Sequence, residues 1–73
     1  MFYHVVYKTD TLTTVISVVA ERYIIKDGII RFQTGRETVI SIDSASVVKV
    51  LERATKNERF KVSYKNKAWQ SNS

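Results

Sequence analysis

Alternation of apolar and polar positions is the clearest order in this chain. The segment Phe2–Lys8 places Tyr3, Val5 and Tyr7 on one side of an extended backbone and Phe2, His4 and Val6 on the other. That is the period of two that a strand imposes on its side chains. Thr9-Asp10-Thr11 interrupts the apolar run with short polar side chains that bond their own backbone, and so predicts a turn. Farther on, Tyr23-Ile24-Ile25-Lys26 and Ile29-Ile30-Arg31-Phe32 flank Asp27-Gly28. This is a strong hairpin signal, because glycine accepts the positive φ that such turns need. Gln33-Thr34-Gly35-Arg36 repeats the device and leads into Thr38-Val39-Ile40-Ser41-Ile42, where Ile40 and Ile42 face inward. A three-strand meander is thus the best-specified part of the chain. Residues 59–65 alternate again, with Phe60, Val62 and Tyr64 on one face and Arg59, Lys61, Ser63 and Lys65 on the other.

Two segments fit more than one period. In residues 12–26, Leu12, Val15, Ile16, Val19 and Tyr23 suit a helix with Asp10 as N-cap. Against this, Thr13, Thr14, Val15, Ile16, Val18 and Val19 are β-branched, which restricts them in a helix and suits a pleated sheet. As a strand, the segment puts Ile16, Val18 and Ala20 on one face, and a bulge at Glu21-Arg22 lets Tyr23 and Ile25 continue it. Asp43-Ser44-Ala45-Ser46 reads as a single turn or a helix cap. After it, Val47, Val50, Leu51 and Ala54 would line a helix to about Asn57, whereas Val48 and Val50 fit a strand. The reading adopted is all-β: a small antiparallel barrel or sandwich of five or six strands, SH3-like in size. The alternative is α+β with one helix at about 11–21 or 46–57.

The pattern Ala20-x-x-Tyr23-x-Ile25-x-x-Gly28-x-Ile30-x-Phe32, followed by a strand and a Val-rich segment, resembles small uncharacterised β-rich proteins of Gram-positive bacteria and their phages. The resemblance covers roughly residues 3–52. It implies a β-rich fold and carries no chemistry with it.

Size and composition narrow the function. A chain of 73 residues makes one domain at most, and such a domain buries only about 60% of its unfolded surface. There is no cysteine, which excludes disulfides and cysteine-based zinc sites. Met-Phe-Tyr-His lacks the basic stretch and following apolar run expected of a secretion signal, and no apolar stretch approaches the length of a membrane span. The expectation is a soluble, cytoplasmic protein with no membrane partner.

Charge divides the chain. Up to residue 52, Lys8, Arg22, Lys26, Arg31, Arg36 and Lys49 cancel Asp10, Glu21, Asp27, Glu37, Asp43 and Glu52. Beyond it, Arg53, Lys56, Arg59, Lys61, Lys65 and Lys67 face Glu58 alone and supply the whole net charge of +5. The division expected is a β domain over 1–65 and a basic, disordered tail over 66–73.

No catalytic group is assembled by this pattern. His4 is the sole histidine and sits on an apolar strand; catalytic zinc sites typically need several such ligands, and a general base needs an orienting partner. Asp10, Asp27 and Asp43 lie where turns or helix starts want a short acceptor. Both glycines belong to hairpins, which leaves none for a phosphate-cradling loop. No metal, cofactor or small-molecule substrate is expected, and the class predicted is a non-enzymatic binding module.

Two partners fit that class. Arg53, Lys56, Arg59, Lys61, Lys65 and Lys67 interleave with Phe60, Tyr64 and Trp69, and cations that track phosphates beside rings that stack bases suit nucleic acid or another polyanion. The predicted binding set is Arg53, Lys56, Arg59, Lys61, Tyr64, Lys65, Lys67 and Trp69. Alternatively, Val19, Ile24, Ile29 and Val39 point away from the core and form an apolar face for a protein partner: a second copy, or a host protein regulated by a phage or bacterial factor.

Overall fold

The β-branched run after the first turn forms strand, as its composition demands. The computed structural model describes residues 1–69. It contains β1 (Phe2–Lys8), β2 (Thr13–Val19), β3 (Arg22–Lys26), β4 (Ile29–Thr34), β5 (Glu37–Asp43), β6 (Val47–Arg53) and β7 (Lys61–Lys65). Single 3-10 turns occupy Ser44–Ser46 and Lys67–Trp69. The strands form two antiparallel sheets, β2-β1-β6-β7 and β3-β4-β5, packed over one core. The all-β reading therefore holds, and neither 11–21 nor 46–57 is helical. At Asp43 the carboxylate accepts from the Ala45 amide at 3.0 Å and caps one turn only, after which Val47-Val48 returns the backbone to extended form. The seven strands exceed the expected five or six in part because residues 12–26 divide into two.

That division replaces the expected bulge at Glu21-Arg22 with a change of sheet one residue earlier. The Ala20 amide donates to the Met1 carbonyl at 3.2 Å, which prolongs the first sheet, and the next amide, Glu21, donates to the Gln33 carbonyl at 2.9 Å in the second. Ala20 is buried at this corner. In the meander, Asp27 and Gly28 take φ of 54° and 76°, the paired positive values of a tight hairpin whose twist matches its strands.

The core is filled from both sheets: Tyr3 and Val5 from β1, Val18 from β2, Ile30 and Phe32 from β4, and Val47 and Val50 from β6. Val47 and Val50 are three apart, so strict alternation through Val48 and Val50 fails. A register shift between Val6 and Tyr7 sets Val6 opposite Lys49 and Tyr7 opposite Val47, leaving Val48 as the extra residue. Tyr3, Tyr23 and Phe32 meet at the centre, with Tyr3 edge-on to Phe32 at 5.0 Å and to Tyr23 at 5.4 Å between centroids. Such pairs add roughly 0.5–1.5 kcal/mol beyond the area they bury.

Two predictions follow from this packing. Replacing the fully buried Phe32 by alanine removes its ring contacts with Tyr3 and Tyr23, and should cost about 3–5 kcal/mol. That is close to the whole stability of a domain this small, so urea unfolding should find little or no folded baseline, while Phe32→Leu retains one. Tyr3 supplies a pH test. Burial, then the charges of Glu52 and Tyr23, raise its pKa above the ordinary 10.0. The folded state thus keeps a proton that the unfolded chain releases, and the contribution is complete below pH 10 and lost as pH rises through the folded value. Stability measured by urea unfolding should fall as pH rises above about 10, and the fall should be shallower in Tyr3→Phe.

Candidate nucleic-acid interface

Because β1 spends Tyr3, Val5 and Tyr7 on the core side, its even positions Phe2, His4, Val6 and Lys8 form the outer face of the four-stranded sheet. The register continues that face. Across β1 from β2 stand Val19 opposite Phe2, Ser17 opposite His4, Val15 opposite Val6 and Thr13 opposite Lys8. On the other side, β6 supplies Arg53, Leu51 and Lys49, and β7 supplies Val62 opposite Leu51 and Lys65 opposite Lys49. No carboxylate occupies any outward position of these four strands.

Most of the acids are engaged elsewhere in the fold, while Asp10 and Asp43 line a depression that also touches Trp69. Asp27 lies in a turn and Asp43 caps another. Glu21 accepts from the Gly35 amide, and Glu58 accepts from the Ala54 amide at 3.3 Å within the β6–β7 loop. Glu52 pairs with Tyr3, on the core side of the sheet. Among the described residues the one ion pair is Arg22 with Glu21 at 4.0 Å, so the cations of the outer face have no acidic partner.

Strand β7 departs from its predicted alternation. A register shift opposite Val50 and Leu51 leaves Ser63 as the extra residue, and Ser63 bonds the Val50 carbonyl at 3.3 Å and the Tyr23 hydroxyl at 2.7 Å. Tyr64 consequently faces the core beside Val50, whereas Val62 faces outward beside Leu51. Lys61, opposite Glu52, and Lys65, opposite Lys49, lie on different faces of the sheet. Phe60, Val62 and Tyr64 do not share a face, nor do Lys61 and Lys65.

The predicted binding set separates toward the two ends of β7, about 13 Å apart at the usual rise per residue. At one end, Arg53 is engaged within the fold. Its guanidinium donates to the Lys56 and Glu58 carbonyls at 3.2 and 3.4 Å, and lies 4.4 Å from the Phe60 ring centre. The Phe60 ring in turn stacks on His4 at 3.9 Å. These groups hold the β6–β7 loop against the sheet. Lys56 and Arg59 are exposed on that loop, and Lys61 is exposed beside it.

At the other end, residues 66–69 of the expected tail are tied to the body, and residues 70–73 lie outside the described residues. Asn66 binds the Val48 carbonyl through its amide at 2.9 Å and the Ser44 carbonyl through its side chain at 3.1 Å. Trp69 donates its indole N–H to the Ala45 carbonyl at 2.9 Å. Trp69 is 43% exposed and lines two open depressions, one of about 750 Å³ beside Tyr7 and Asp10 and one of about 250 Å³ beside Lys49 and Lys65. Lys8 Nζ sits 5.0 Å from the ring centre, and Lys67 is exposed in the same turn.

Lys8, Lys49 and Lys65 therefore gather around Trp69, with Lys67 two residues before it in the same turn, although sequence reasoning named only Lys65 and Lys67 of these as site residues. Lys8 was detectable, since it falls in phase with Phe2, His4 and Val6. Lys49 was hidden in the segment whose period was ambiguous.

The predicted apolar face also divides. Ile24 lies opposite Arg31, and Ile29 two residues along from it, on the outer face of the three-stranded sheet; Val39 is the extra residue of a register shift on its edge. Val19 belongs to the outer face of the other sheet. The four residues do not form one patch. Among the described residues no cluster of three His, Cys, Asp or Glu side chains could hold a metal ion, and no helix is long and apolar enough to cross a membrane. Compared with known protein families, curated proteins and solved structures, the chain matches none.

Proposed function

We propose that this protein is a non-enzymatic binding module for single-stranded nucleic acid, which it holds at the Trp69 end of its four-stranded sheet. The observation that supports this is the grouping of Lys8, Lys49 and Lys65 around an exposed, hydrogen-bonded indole, with Lys67 in the same turn, on a face whose strands present no carboxylate. Lys49 and Lys65 stand directly opposite each other on neighbouring strands, an arrangement that destabilises a sheet unless an anion lies between them. A phosphate supplies that anion, and a base laid on the free face of Trp69 adds roughly 1–3 kcal/mol. A polyanion without bases would use the lysines alone.

A protein partner is the second reading. It is favoured by Val15, Val19 and Val62, which are 56%, 65% and 45% exposed on the same outer face. Salt separates the two, because counterion release makes nucleic-acid binding fall steeply as salt rises, while an apolar contact hardly responds.

The test is fluorescence anisotropy of a labelled oligonucleotide at several salt concentrations. Replacing Lys49 and Lys65 by threonine should weaken binding and flatten the plot of log affinity against log salt by about 1.4, at roughly 0.7 per lost single-strand phosphate contact. Trp69→Ala should weaken binding and leave that slope in place. Affinity and slope unchanged in the folded double variant would exclude this site. Lys65→Thr alone should also raise stability by about half a kcal/mol, since it relieves the lysine pair; thermal unfolding at low salt measures it.

A further inference from the structure

Four strands lie at the edges of the two sheets: β2 and β7 in one, β3 and β5 in the other. Natural sheets protect such edges with charge, bulges or brevity, because an unpaired row of N–H and C=O groups invites another strand. Three of the four are protected in this way. Strand β7 is short, begins and ends in lysine and carries a register shift; β3 begins with Arg22 and ends with Lys26; β5 begins with Glu37, ends with Asp43 and is also shifted.

Strand β2 has none of these devices. Residues 12–19 contain no charge, glycine or proline, and the ladder with β1 runs without a shift from Lys8 opposite Thr13 to Phe2 opposite Val19. Among the described residues, no backbone hydrogen bond outside that ladder involves β2. The outward side chains Val15 and Val19 are among the most exposed apolar groups of the chain, at 56% and 65%.

We infer that β2 pairs edge to edge with β2 of a second copy, antiparallel about a two-fold axis near Ile16. The occupant follows from charge and symmetry. A chain of net charge +5 repels its own copies, and β2 is the one edge along which two copies meet without opposing like charges. About an axis at Ile16, Val15 of each copy faces Ser17 of the other and Thr13 faces Val19, so no group is left opposite an unsuitable partner. The product is a continuous eight-stranded sheet ending at both sides in β7. The lysines there stop further growth, and the assembly closes as a dimer. Both outer faces then lie on one side, so one nucleic-acid strand can reach two Trp69 sites.

The association needs no nucleic acid, and the test omits it. Sedimentation equilibrium from low to high micromolar protein should give a mass approaching twice the 8.4 kDa of the chain. Val15→Lys with Ser17→Lys should give a folded monomer, as should Val15→Glu with Ser17→Glu, the fold being checked by far-UV circular dichroism. Mixing the two variants should restore the dimer, because each lysine then faces a glutamate. Ile24→Lys, on the outer face of the other sheet, should leave the dimer intact. A wild-type monomer at high micromolar concentration, a dimer that survives the lysine pair, dissociation by Ile24→Lys, or no recovery on mixing would each overturn the inference. If the lysine pair fails to fold, the wild-type mass and the Ile24→Lys variant decide.

Discussion

Ala20 and Glu21 send their amides to different sheets, one to the Met1 carbonyl and the next to the Gln33 carbonyl, and the rest of the molecule is arranged around that step. A chain can turn so sharply between two ladders only where a small side chain sits on the inside of the bend, and Ala20 meets that requirement. The bend is held from outside by the β4–β5 turn, whose Gly35 donates its amide to the Glu21 carboxylate while its carbonyl accepts from Arg22 at 2.6 Å. Gly35 has φ of 60°, a conformation that turns both of its backbone polar groups toward the corner at little steric cost. With the corner fixed, Tyr23 meets Tyr3 and Phe32, and the two sheets share one core.

The elements that were legible in the sequence are those fixed by neighbours in the chain. Asp27-Gly28, Gly35 and the alternation of Phe2–Lys8 each declare themselves within a few residues. Residues 13–19 are β-branched enough to settle a strand despite helical spacing. What could not be read is whatever depends on pairing at a distance. The shift at Val6 and Tyr7 turns both Val47 and Val50 inward, and the shift at Ser63 sends Val62 out and Tyr64 in. Both arise from an extra residue on one strand, which inverts every later side chain, and alternation counted along the sequence has no means of detecting it.

The candidate site illustrates the same limit in terms of charge. Along the sequence, the body is neutral and the C-terminal segment basic. In space, Lys8 and Lys49 from the neutral part join Lys65 and Lys67, while Arg53 from the basic part is used to hold its own loop. Neutrality summed over 52 residues conceals a sheet face without carboxylates, because the compensating acids sit in turns, caps and the sheet corner. A surface field depends on where charges stand, and it is this local distribution that attracts a polyanion.

The pairing of β1 with β6 has a bearing on how the chain is made. Strands β3, β4 and β5 pair only with neighbours in sequence and are complete once residue 43 has been added. Strand β1 is synthesised first, yet between β2 and residue 47 it has one partner, and its second arrives only with β6. Contacts that close so long a loop form late, since the entropy of closure must be met before the contacts repay it. On the ribosome, where chains emerge N-terminus first, the edge of β1 that β6 takes keeps its N–H and C=O groups unpaired until residues 47–53 have been added. A strand made early in the chain therefore completes its hydrogen bonding late.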